Sequence, residues 1–122
     1  MSFSIQVIDL EITPSKRPPI VYAAQGEAAG RLIRLQLIDR GEDFIIPTNA
    51  KITLCGTRAD GKKFELCSDE SNAVLFEENV VSFSVTSVMT KVAGSVLCGI
   101  VIEDSEETVG TLNFILKVQQ RP

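Results

Sequence analysis

Apolar residues recur at every second position in one short segment of this chain after another, and Gly, Asp, Asn or Pro interrupts each run. A period of two matches the pleat of a β-strand, whose side chains point alternately to opposite faces, and not the turn of about 3.6 residues in a helix. The chain is therefore read as all-β, with helix in the minority. At 122 residues it has the size of one domain, so residues 1–122 are taken as a single unit.

The first segment runs from Phe3 to about Ile12, with Phe3, Ile5 and Val7 on one face, and stops at Thr13 and Pro14. Residues 13–30, TPSKRPPIVYAAQGEAAG, hold three of the five prolines and two glycines. They are read as a long extended connection with a pause near Ile20 to Ala23. Alternation returns from Arg31 to Asp39, with Ile33, Leu35 and Leu37 facing one way, followed by a turn at Gly41 to Asp43. Phe44 to Ile46 packs back, and Pro47 to Ala50 leads into the strand from Lys51 to Arg58.

The hairpin around Ala59, Asp60 and Gly61 lets the pattern choose the register. A three-residue loop with Gly61 left-handed sets Leu54 opposite Leu66, and Ile52, Leu54, Gly56, Phe64 and Leu66 then share a face. Cys55 and Cys67 become diagonal neighbours on the other face. Their Cβ atoms stand roughly 7 Å apart, against roughly 4 Å for a disulfide, so no bond is expected. The next hairpin pairs Val74 and Phe76 with Phe83 and Val81 across Glu78 and Asn79, where asparagine tolerates positive φ. Residues 87–93 are read as a short helical turn with Ser87 as cap, Val88 and Val92 four apart, and Gly94 closing it. The last hairpin joins Ser95–Asp104 to Thr108–Val118 across an acidic tip, with Leu112, Phe114, Leu116 and Val118 inward and Thr111, Asn113 and Lys117 outward. Seven or eight such strands imply a two-sheet antiparallel β-sandwich of immunoglobulin-like architecture, because one sheet this apolar would leave a face bare.

With no histidine in the chain, the commonest general base, the commonest metal ligand and every Ser-His or Cys-His pair are absent. The three cysteines, Cys55, Cys67 and Cys98, are odd in number and widely spaced, and are read as structural thiols with neither disulfide nor zinc site. The acidic runs, Asp69–Glu70, Glu77–Glu78 and 103–107, fall at turns and lack calcium-loop spacing, so solvation explains them. No phosphate-binding glycine motif occurs. No catalytic residue, cofactor or metal is expected, and an enzyme working through Glu77 or Glu106 ranks last. Twelve basic against sixteen acidic residues give a net charge of −4, the wrong sign for nucleic acid. No apolar run approaches the roughly 20 residues of a spanning helix, so no membrane is expected. The amino terminus has no secretory pattern, which places synthesis in a cytoplasm.

One likeness rests on particular residues. KITLCGTRADGKKFEL (51–66) is a strand, DG turn, strand element, and VSFSVTSVMTKVAGSVLCGIVIED (81–104) is a strand, helical turn, Ala-Gly, strand element; Asn113 and Phe114 lie in the closing strand. In this order the chain resembles the amino-terminal domain of phage baseplate upper proteins, from phages and prophages of Gram-positive bacteria. The resemblance implies a non-enzymatic β-sandwich of the virion tail baseplate, made in the bacterial host cytoplasm, that attaches receptor-binding machinery to the tail by protein–protein contacts. It also implies other tail or baseplate proteins as partners and a homo-oligomer. Members usually continue into a coiled coil or further domains, whereas this sequence ends at Pro122, which leaves open a piece of a longer chain or a short relative. Long Pro-rich segments and sheet edges suit assembly, so Lys16, Arg17, Pro18, Pro19 and Tyr22 are the candidate partner-binding residues. The alternative is a carbohydrate-binding or host-recognition module. It is disfavoured because the chain has no Trp and one Tyr, while sugar sites use aromatic platforms.

Overall fold

In a computed structural model, residues 4–11, 18–26, 31–69, 74–105 and 107–120 are described. They form ten strands and one helical turn. The strands are β1 (Ser4–Glu11), β2 (Ile20–Ala24), β3 (Arg31–Asp39), β4 (Glu42–Asp43), β5 (Lys51–Thr57), β6 (Lys63–Cys67), β7 (Val74–Glu77), β8 (Val80–Ser84), β9 (Gly94–Asp104) and β10 (Glu107–Gln119). The helical turn, α1, is Ser87–Thr90. Sheet A has the order β1-β3-β8-β7 with β4 on the end of β3, and sheet B the order β2-β10-β9-β5-β6.

The alternation becomes a sandwich because each strand turns one apolar row inward. Ile33, Leu35 and Leu37 of β3, and Val74, Val81, Phe83 and Val85 around β7 and β8, bury sheet A's inner face. Ile52 and Leu54 of β5, Val96, Cys98, Ile100 and Ile102 of β9, and Leu112, Phe114, Leu116 and Val118 of β10 meet them from sheet B. The rings of Phe83 and Phe114 lie 5.8 Å apart across this interface, tilted by 32°, a favourable aromatic geometry.

The hairpin registers agree with the pattern. Leu54 faces Leu66, Cys55 faces Glu65 and Thr53 faces Cys67. Gly61 is left-handed at φ 86°, and the three thiols are free. Phe64 lies over its cross-strand partner Gly56, where a β-carbon would collide with the ring. Val74 faces Phe83 and Phe76 faces Val81.

Other expectations need correction. The sheets are mixed, since β1 pairs in parallel with β3 and β2 with β10, and there are ten strands in place of seven or eight. The expected pause in residues 13–30 is β2, a strand with Val21 and Ala23 inward. Of the expected Phe3, Ile5 and Val7 face, Phe3 lies outside the described residues, and Val7 points outward: parallel pairing sets it beside Arg34, while Leu10, beside Leu37, is buried. Glu78, not Asn79, takes the positive φ of the β7–β8 turn, at 55°. In α1 the cap position is Thr86, without a side-chain bond, and Met89 and Thr90 are buried while Val88 is exposed.

One buried cation ties the β5–β6 hairpin to the α1 segment. Arg58 donates through Nε and Nη2 to the two carboxylate oxygens of Asp60, at 3.1 and 2.8 Å, and through Nη1 to the Val88 carbonyl at 3.2 Å. The Arg58 hydrogen bond holds the Asp60 carboxyl below its ordinary 3.8. A depressed carboxyl stabilises the fold above its unfolded value and loses that contribution as pH falls through the lower folded value.

Two outcomes are expected. Phe114→Ala costs about 3–5 kcal/mol in chemical denaturation, as removing a buried aromatic does; a loss below about 1 kcal/mol would contradict its central place. The stability advantage over Asp60→Asn is full above pH 3.8 and fades as pH drops below that value. Denaturation midpoints across a pH series measure it, and a difference that stays constant with pH contradicts the ion-pair account.

Candidate interaction surface

Once the apolar rows of both sheets are buried, chemistry is left to the outer faces. Of the candidate residues, Lys16 and Arg17 lie outside the described residues. Pro18 is exposed and Pro19 half-buried at the entry to β2, and the Pro19 carbonyl accepts a bond from the Ile115 amide at 2.9 Å. Two consecutive prolines suit the outermost strand of a sheet because they have no amide to offer a neighbour.

β2 is that outermost strand of sheet B. Its far end is held by Gln25 N to Gln119 O at 2.8 Å and Gly26 N to Thr90 O at 2.9 Å. Alternation turns Ile20 and Tyr22 outward, 47% and 48% exposed. Register then extends the surface: Ile20 stands beside Ile115, and Ile115 beside Leu97, which is 62% exposed. Tyr22 stands beside Lys117, and Leu97 beside Thr57, whose partner across the hairpin is Lys63. An apolar ridge over three strands is thus flanked by two exposed lysines.

The sequence pattern missed Leu97, Ile20 and Ile115. Leu97 lies in an unbroken apolar run, Val96 to Ile102, which conceals its outward direction. Its opposition to the inward Val96 and Cys98 was the available signal.

Sheet A's outer face differs. Val7, Leu32, Arg34, Gln36, Leu75, Val80 and Ser82 line an open groove of about 820 Å³ whose wall continues to Glu77 and Glu78. Val7 and Leu75 are 54% and 56% exposed.

Among the described residues no group of three or more His, Cys, Asp or Glu side chains is placed to hold a metal ion, and no helix is long and apolar enough to cross a membrane. Glu77 is exposed, and Glu106 lies outside the described residues. Cys98 is buried under sheet B, and desolvation pushes its thiol up to about 12, against a smaller opposing effect from a backbone bond at Leu116. Cys55 is half-buried on the outer face, with Sγ 3.5 Å from the Gly99 carbonyl.

No family model and no curated protein matches the sequence. In structure the chain is similar to the N-terminal domain of phage TP901-1 ORF48, with a TM-score of 0.65 and 10% identity over 96% of this chain and 99% of that one. The likeness agrees with the phage resemblance carried by the hairpin elements, and at such identity it is one of fold.

The thiols give a direct check on these placements. In the folded protein iodoacetamide should modify Cys55 first and leave Cys98 untouched until unfolding, because the reactive species is the thiolate and burial disfavours it. Peptide mass spectrometry over a time course measures this, and equal rates at both positions contradict the burial assigned to Cys98.

Proposed function

We propose that this chain is a non-enzymatic structural adaptor of a phage tail baseplate, attaching receptor-binding machinery to the tail through protein–protein contacts. The observation that carries the reading is the agreement of fold, over nearly the full length of both chains, with the N-terminal domain of phage TP901-1 ORF48. The hairpin elements at 51–66 and 81–104 had pointed to the same family by a separate route. In this reading the protein works in the virion, its partners are other tail or baseplate proteins, and it forms a homo-oligomer.

The outer face of sheet B is the contact surface in this reading. Ile20, Tyr22 and Leu97 place large side chains in water, with Lys117 and Lys63 at the rim. An apolar centre with a charged border is the usual build of a protein contact. A sugar site is less well served, because Tyr22 is the sole exposed aromatic side chain among the described residues.

The test is co-expression with the tail proteins encoded beside this chain, followed by purification of the complex. A Tyr22→Ser/Leu97→Thr variant is expected to weaken binding by about tenfold or more, while stability stays within about 0.5 kcal/mol for each substitution, as for exposed positions. Absence of binding to every tail protein overturns the reading, and a clear glycan-array hit would favour host recognition.

A further inference from the structure

The two outer faces of this sandwich complement each other. Sheet A's outer face is a groove and sheet B's is a ridge. The groove runs between Val7 on β1 and Leu75 on β7, with half-buried Leu32 and Val80 on its floor. The ridge is the row Ile20, Ile115, Leu97, and Leu97 is the most exposed of the large apolar side chains described.

Charge follows the same division. Register sets Asp9 beside Gln36, Gln36 beside Val80, and Val80 beside Glu77, so Asp9 and Glu77 share the groove's face, with Glu78 at its turn. All three carboxylates are exposed, against one exposed cation on that face among the described residues, Arg34. On the ridge face, among the described residues, Lys117 and Lys63 are exposed, against one exposed carboxylate, Glu65. Half-buried Lys51 and Glu103 face each other on the ridge side and offset one another, so among the described residues the exposed charge is mainly acidic on the groove face and mainly basic on the ridge face.

We infer that the occupant of the sheet B ridge is the sheet A groove of a second copy of this chain, stacked front to back. Two grooves meeting would bring Asp9, Glu77 and Glu78 of both copies together, and two ridges would do the same with lysines. Like charges across a contact oppose it. The groove-to-ridge contact is heterologous: it leaves a free groove at one side and a free ridge at the other. Addition therefore continues until a ring closes or a stack grows. The inference rests on the adaptor reading for the use of the sheet B face, and it names the self-association partner of that face.

The purified chain is tested alone, by sedimentation and light scattering over a dilution series. Salt is set at about 10 mM and then at about 1 M, where the screening length falls from roughly 30 Å to 3 Å. The expected result is an average mass that climbs with concentration above the monomer's 13.3 kDa at low salt and falls back at high salt. Glu77→Lys/Glu78→Lys gives two basic faces and Lys63→Glu/Lys117→Glu two acidic ones. Each variant alone is expected to stay monomeric, and an equimolar mixture to associate again, which also shows that both are folded. A chain that is monomeric at every concentration, or an association unmoved by either reversal, overturns the inference. If that chain still binds a tail protein and loses it on Tyr22→Ser/Leu97→Thr, the adaptor reading stands and the stacking alone fails.

Discussion

The contact between Phe83 and Phe114 is the point on which the two sheets depend. Phe83 belongs to β8 in sheet A and Phe114 to β10 in sheet B, and their rings meet across the core at 5.8 Å. Each sheet has one face of buried Val, Ile and Leu that water would not tolerate alone, so neither is a stable object without the other. Ile33, Leu35, Leu54 and Ile100 belong to the same buried core cluster as the two rings. With the inner rows committed, recognition is left to the outer faces, the edges and the loops.

A second constraint lies in how the chain enters the sandwich. β1 joins sheet A, β2 crosses to sheet B, and β3 returns to lie parallel to β1. The crossing makes β2 the outermost strand of sheet B, beside β10. Pro18 and Pro19 then sit where a missing amide costs least, and Ile20 and Tyr22 are carried onto the same surface as Leu97. A segment that reads as a proline-rich connection thereby builds one border of the apolar ridge.

The Arg58–Asp60 pair and the bond from Arg58 to the Val88 carbonyl pin the β5–β6 hairpin to the α1 segment, and the amides of Gln25 and Gly26 pin the end of β2. These bonds anchor the two ends of the sheet B surface to the rest of the fold, an arrangement that favours preorganised association. The proposed adaptor role uses that surface, and stacking of copies adds the charge pattern of both faces.

The sequence by itself determined the local elements. Period-two alternation identified the inward rows of β3, β5 and β10. The chemistry of Gly61 and the match of Leu54 with Leu66 set a hairpin register, and with it the separation of Cys55 from Cys67. All of these depend on neighbours close in the chain, where pattern and turn geometry suffice. What tertiary structure decided was which strands sit side by side when far apart in sequence. Only the pairing of β1 with β3 turned Val7 outward, and only the rows joining β2, β10 and β9 assembled Ile20, Ile115 and Leu97 into a ridge. Alternation says that two faces exist on a strand, but partner strands and the opposing sheet choose which face meets water.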